Sequence, residues 1–175
     1  MDIKALYKLS YGMFIVCSKK GDKLNGQVAN TVFQITSEPP TIAVSINKNN
    51  LTHSYISESK VFTASILSIT TPLSFIGGFG FRSGKDVNKL AGINYKLGKT
   101  GAPVILDNTV AYIEANVVKQ LDVGTHTIFV GEIADAEILN EKEIMTYANY
   151  HLVRRGTTPT TAPTFIAEPK EPKTA

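Results

Sequence analysis

The run Thr41-Ile42-Ala43-Val44-Ser45-Ile46-Asn47 constrains this chain more than any other feature. Strand side chains alternate with period two, so Ile42, Val44 and Ile46 share one face and Thr41, Ala43, Ser45 and Asn47 the other. The first face predicts a core. The second is small and hydrogen-bonding, and it leads into Lys48-Asn49-Asn50-Leu51-Thr52-His53. Upstream, Glu38-Pro39-Pro40 forms a turn, and before it Asn25-Gly26 opens the segment Gln27-Val28-Ala29-Asn30-Thr31. A hairpin folded at the prolines brings the polar clusters 27–31 and 45–53 together. A wall of small polar side chains ending in a cation suits a flat ligand with a phosphate tail. An ordinary solvent-facing strand followed by an Asn-rich turn shows the same alternation. The small size of the outer residues leaves room for an occupant and favours the ligand.

The other elements are read from the same periodicities. Ile3, Leu6 and Leu9 predict a short opening helix, and Met13–Ser18 a strand buried on both faces with Cys17 as an inert apolar residue. Ser54–Glu58 reads as a short helix that Thr52 is placed to cap, its N-terminal amides facing a nearby anion. Val61–Leu67 is a strand. In the segment 72–84, Pro72 suits a helix start and Gly77-Gly78 its end, after which a loop presents Arg82, Ser83 and Lys85. Ser83 stands where a dinucleotide fingerprint needs a third glycine, and Asp86 where a phosphate loop needs Ser or Thr, so neither motif is present. Val110–Leu121 and Thr125–Leu139 are long strands, partly apolar on both faces, which suits a closed barrel with a partner against its outside. Glu141–Tyr150 has helical spacing on Ile144, Met145 and Ala148.

A chain of 175 residues is long enough for one well-buried core. We expect a single domain over residues 1–155, then an extended Thr/Pro-rich tail over 156–175. A net charge of +3 with no long basic run argues against nucleic acid. The lone Cys17 rules out an internal disulfide. No apolar stretch reaches the length of a membrane span, and no cleavable leader is evident, so a cytoplasmic protein without a membrane partner is expected. His53, His126 and His151 lack any paired ligand spacing, and a metal site is not expected.

Four groups of residues carry a resemblance. Asn25-Gly26 with Ala29-Asn30-Thr31, then Pro39-Pro40 with Ile42-Ala43-Val44-Ser45-Ile46, then Thr52-His53 before a short helix, resemble the flavin reductase family. Phe79–Gly84, Gly124–Ile133, Tyr150-His151, Thr158-Pro159 and Ala162-Pro163-Thr164 follow in that family's order. The resemblance runs from about Leu6 to about Ile166. It implies a mainly β fold, the FMN-binding split β-barrel with Greek-key-like connections and a few short peripheral helices. It also implies FMN as cofactor, FAD being the alternative, and NAD(P)H as hydride donor; the two-faced apolarity of Val110 to Leu139 leads us to expect a homodimer. The acceptor would be free flavin or a redox protein such as rubredoxin or a flavodiiron protein. No Cys-x-x-Cys pair is present in the sequence, and we expect any iron centre to be on another protein.

The candidate cofactor residues are Gln27, Val28, Ala29, Asn30 and Thr31 for the ring, and Ser45, Asn47, Lys48, Thr52, Arg82 and Ser83 for the phosphate. Ile46 and His53 complete the set. The resemblance makes His126, in Gly124-Thr125-His126, the catalytic candidate beside the nicotinamide. Thr125 replaces the acidic residue common in that family, which removes one means of tuning the imidazole. Flavin chemistry asks no carboxylate pair or Ser-His-Asp arrangement of the protein. Two rival functions remain: an FMN electron carrier without NAD(P)H activity, and a small barrel for oligonucleotides. The modest charge weakens the second.

Overall fold

The structure, a computed structural model, describes residues 2–166. Its centre is one antiparallel sheet of seven strands: β1 (Phe14–Lys20), β2 (Lys23–Ala29), β3 (Val32–Ser37), β4 (Pro40–Asn47), β5 (Val61–Leu67), β8 (Thr109–Val123) and β9 (His126–Ile138). Their order is β2-β1-β5-β8-β9-β4-β3. The two edge strands, β2 and β3, are consecutive in the chain, with only Asn30 and Thr31 between them. A connection that short forces the sheet to curl until its edges meet. The Ser45 amide donates to the Thr31 carbonyl at 3.1 Å, extending the β3–β4 ladder into this link. The result is the mainly β split barrel that the resemblance implied. A two-stranded ribbon, β6 (Tyr95–Leu97) and β7 (Pro103–Ile105), lies outside it.

Period two explains how the strands are used. Ile42, Val44 and Ile46 turn into the barrel interior with Val16, Phe62 and Phe129, all but fully buried. Ile15 and Cys17, on the opposite face of β1, join a second core with Ile76, Phe79 and Met145. Two cores, one on each side of β1, account for its unbroken apolar run. Burial pushes the Cys17 thiol up to about 12, so it stays protonated and inert. Glu114 is also fully buried, and its carboxylate accepts from the Lys99 amide, the Thr100 amide and the Thr100 hydroxyl at 3.0–3.1 Å.

Four expectations about helices change. The opening helix is a 3₁₀ turn, Ile3–Lys8, and Ile3, Leu6 and Leu9 stay exposed. Helix α1 (Leu51–Ser59) starts after Asn50, with no side-chain cap; Thr52 lies inside it, buried. Helix α2 (Leu73–Gly80) begins after Pro72 and runs through Gly77-Gly78. Burial of Ile76 and Phe79 outweighs the roughly 1 kcal/mol that each helical glycine costs. The segment 141–146 is extended, because Ile144 pairs with Ser68 and Thr146 with Gly12. The Met145 amide donates to the Leu67 carbonyl at 2.8 Å, and its carbonyl accepts from the Met13 amide at 3.1 Å. Sheet pairing has overridden a helical spacing, and the helix that follows is a five-residue π-helix, Asn149–Val153. Among the described residues no helix is long and apolar enough to cross a membrane.

Candidate functional site

A cavity of about 480 Å³ lies on the flank of the barrel, where β2, the end of β4, the start of α1 and the end of α2 converge. Glycines allow these elements to close on one another. A Cβ on Gly26 would come within 2.6 Å of the Cys17 sulfur and 3.2 Å of the Phe79 ring, so α2 can sit on β2 only at a glycine. A Cβ on Gly84 would overlap the Asn25 carboxamide and press on Leu51 at 3.0 Å. The loop after α2 therefore folds down onto β2 and α1. Asn25, 3% exposed, donates to the Thr52 hydroxyl at 2.8 Å and ties the same three elements together.

One end of the cavity is polar. Asn49, Asn50, Leu51 and Thr52 bring the N-terminus of α1 to it, and Arg82, Ser83 and Gly84 face them. Among the described residues Arg82 has no hydrogen-bond or ion-pair partner. Helix amides and a free guanidinium are the donor set that an anionic group needs. Lys89 also lines the cavity, its ammonium donating to the Phe79 carbonyl at 2.8 Å, and burial pushes it down to about 8. The other end is apolar and mostly aromatic: Ile76, Phe79, Tyr147 and Tyr150. Residues 157–163 of the tail complete its wall.

The structure gathers Gln27, Val28, Ala29, Asn30, Ser45, Asn47, Thr52, Arg82 and Ser83 around this cavity. Five predicted residues stand outside it. Thr31 backs the wall, donating to the Asn30 amide oxygen at 3.0 Å. Ile46 points into the barrel core, fully buried. Lys48 pairs with Asp122 at 2.5 Å on the surface, because the turn after β4 aims it at the β8–β9 hairpin. His53 bonds the Thr127 hydroxyl at 2.8 Å and packs on the Phe129 ring, and burial with the nearby Lys48 holds it below its usual range. His126 reaches the Thr125 hydroxyl at 2.8 Å through Nδ1 and the Thr161 carbonyl at 3.2 Å through Nε2. It holds the tail rather than the cavity.

Sequence reasoning missed Asn25, Lys89, Tyr147, Tyr150 and the tail residues. Lys89 is one lysine among many with no motif around it, and only burial sets it apart. The tail composition predicts an extended run, and neither the turns at 160–164 nor the surface that the segment covers. Residues 167–175 of that tail lie outside the described residues.

The arrangement can be tested for a flavin on its own atoms. Gln27 Oε1 is buried without a partner, and an unpaired buried acceptor costs about 1–3 kcal/mol. The pyrimidine ring of a flavin carries an N–H donor that would satisfy it. The opposite end offers cations and amides for a phosphate. The residues fit the group.

The class is a small antiparallel barrel with a one-sided cavity, amide side chains on its wall and a guanidinium at one end. Residues 6–155 match the flavin reductase like domain, and the chain belongs to that family. It is 58% identical over its whole length to the high molecular weight rubredoxin of Moorella thermoacetica, covering 76% of that protein. It is 53% identical over 166 residues to a ferric-chelate reductase (NAD(P)H) of Archaeoglobus fulgidus, covering 95% of this chain and 98% of that one. Among solved structures it is similar to the flavin reductase HpaC complexed with NADP+, at TM-score 0.71 and 26% identity over 83% of this chain and 90% of that one. Flavoredoxin from Methanosarcina acetivorans follows at 0.68 and 25%, over 75% and 69% of the two chains.

Proposed function

We propose that this chain is an NAD(P)H-dependent flavoprotein reductase that holds FMN in the flank cavity. The observation that carries this reading is the pairing of the orphaned Gln27 acceptor with a cationic end around Arg82 in one cavity of about 480 Å³. That volume lies in the lower part of the roughly 300–1,000 Å³ range of small-molecule sites. The ferric-chelate reductase at 53% identity bears NAD(P)H in its name, and it covers nearly the whole chain. Bound flavin supplies the redox chemistry, taking two electrons and one proton from the nicotinamide as hydride and passing the electrons to an acceptor.

The protein's own work is placement. Gln27 and Asn30 orient the ring edge, while Arg82, Ser83 and the first amides of α1 fix the phosphate. Lys89 offers an ammonium donor from the buried side. His126 stands at the rim, and its Nε2 is available to the nicotinamide once it leaves the Thr161 carbonyl. The acceptor we favour is a small redox protein, in keeping with the rubredoxin in the name of the 58% identical relative.

A homodimer belongs to the same reading. Leu121 pairs with Ile128, which pairs with Ser45, and Val123 with His126, which pairs with Asn47, so all six share the outer face. Phe33, opposite Ala43, lies on that face too. Phe33, Leu121 and Val123 are 51%, 60% and 46% exposed. A second copy covering them would border the cavity through Ser45 and Asn47. A monomeric mass in light scattering at micromolar concentration refutes the dimer.

The decisive experiment is to release and identify the bound chromophore, then titrate the holoprotein anaerobically with NADH and NADPH. Rapid bleaching is expected. A yellow protein that neither nucleotide bleaches is a carrier, and a colourless one that takes up no flavin overturns the proposal. His126→Ala should keep its flavin, reduce normally with dithionite, and bleach roughly ten- to a hundredfold more slowly with NAD(P)H.

A further inference from the structure

Residues 157–164 leave the π-helix as a loop that lines the cavity and returns on itself, for its two ends meet at one side chain. Tyr147 is the hub that seats them. Its hydroxyl bonds Thr158 at 2.7 Å and Thr164 at 2.8 Å, so one side chain grips both ends of the loop. Thr164 also accepts from Asn30 Nδ2 at 2.8 Å, and Thr158 bonds His151 Nε2 at 3.1 Å. In the middle, the Thr161 carbonyl meets His126 Nε2 at 3.2 Å. The family match ends at residue 155, just before this loop.

Two physical features mark the loop as movable. Among the described residues it pairs with no strand, and its backbone-to-backbone bonds are the internal turns Ala162 to Pro159 and Phe165 to Ala162. Its other backbone ties are the Thr157 carbonyl, which accepts from the Tyr150 hydroxyl at 2.9 Å, and the Thr161 carbonyl at His126. Side-chain bonds to the rim hold it instead, each worth a modest net amount in water-accessible surroundings. It also inserts no large side chain into either core. The Tyr147 ring, by contrast, is fixed by packing against Tyr11, Tyr150 and His151 at 4.3–6.3 Å. A rigid post holds a loosely tied strap.

The need for movement follows from position: residues 157–163 line the cavity of about 480 Å³ in which the first ring would lie. Hydride transfer requires the second ring in contact with the first. We infer that residues 157–164 form a strap that gates the cavity, closed over one bound ligand and lifted to admit the second, with Tyr147 as the residue that seats it. This rests on the proposed flavin site. Lifting the strap also frees His126 Nε2 at the rim, where the nicotinamide would arrive.

A gate has a kinetic signature that a fixed wall lacks. Loosening it raises the open fraction, so a ligand enters and leaves faster by the same factor. The dissociation constant barely moves while the closed state still predominates. Tyr147→Phe removes the hydroxyl and keeps the packed ring. We expect FMN association with the apoprotein and FMN release from the holoprotein both to rise roughly five- to thirtyfold, the weight of one to two neutral hydrogen bonds. The equilibrium constant should stay within about threefold on the same argument. Proteinase K should cut within 156–166 faster by a similar factor, since cleavage tracks local opening.

Thr158→Val tests the same bond from the strap side, should Tyr147→Phe fail to fold. Unchanged entry, release and cleavage in both variants overturns the gate. A rise in release alone, with weaker equilibrium binding, means a static wall and overturns it too. Failure of the flavin reading shows elsewhere, in a wild-type protein that takes up no flavin.

Discussion

The two ends of the cavity are built by different means. At the polar end, Asn25, Thr52, Gly84 and Arg82 sit where β2, α1 and the loop after α2 interlock, and glycines at 26 and 84 let backbones approach until side chains touch. At the other end, the wall is a strap tied by hydroxyls to one tyrosine. Interlocked elements cost a great deal to separate, whereas side-chain ties come undone singly. The first end is suited to hold an anion in one place. The second is suited to let something in. Changes at the polar end should therefore alter equilibrium affinity, and changes at the strap end should alter rates.

The largest effect expected at the polar end comes from Arg82→Ala. A free guanidinium beside helix amides is placed for charge-assisted bonds to a phosphate, each worth about 1.5–3 kcal/mol. FMN should bind roughly ten- to a hundredfold more weakly, and riboflavin, which lacks the phosphate, should lose far less. Titration of the apoprotein with both flavins decides the matter. Equal losses would move the phosphate elsewhere and break the contrast between the two ends.

Lys89 gives a smaller effect that carries a sign. Burial holds its ammonium near 8 instead of the usual 10.5, so the unfolded chain binds the proton more tightly than the folded one between those values. Stability should thus rise with pH from about 8 to 10.5 on account of this group. In the proposed site a bound flavin would reverse the preference, its oxygens accepting from the charged amine. Flavin binding should take up a proton near pH 8, and its affinity should fall as pH rises through that value. Calorimetry in two buffers of different ionisation enthalpy measures the uptake. Lys89→Met should abolish it, and uptake that survives this change assigns the proton to another group.

The sequence made the hairpin legible because β3 and β4 declare themselves locally: alternation in 41–47 and a proline turn before it. The curling of the sheet was readable only through resemblance, since no local pattern says that β2 and β3 are its two edges. Residues 141–150 misled because Ile144, Met145 and Ala148 have helical spacing, while Met13 and Leu67, distant in sequence, pair with Met145. At the site, Gln27–Asn30, Ser45 and Asn47 were legible as two small polar clusters. The closing of the sheet between β2 and β3 brings them together, not the expected hairpin, since β2 pairs with β1 and not with β4. Lys89 and Tyr147 were not, for their roles come from burial and from the tail, neither of which spacing encodes.

The smallest effect is expected at Lys48, and it separates adjacency in sequence from adjacency in space. Lys48 directly follows the cavity residue Asn47, and a cation after a polar strand reads naturally as a phosphate ligand. Its side chain points the other way, to Asp122 on the β8–β9 hairpin, with the lysine 38% and the aspartate 69% exposed. The backbone continues the separation, for the Lys48 amide donates to the Thr125 carbonyl at 3.0 Å on that same hairpin. An exposed pair of this kind contributes little, and salt screens it. Lys48→Ala should therefore leave FMN affinity within roughly twofold of wild type, against ten- to a hundredfold for Arg82→Ala. Loss of the nearby charge should also let His53 titrate higher, since Lys48 is one of the groups that hold it down. An NMR titration of the His53 ring reads that change directly. If Lys48→Ala instead weakens FMN as much as Arg82→Ala does, the lysine leaves Asp122 when the ligand arrives, and the polar end extends across the β4 turn.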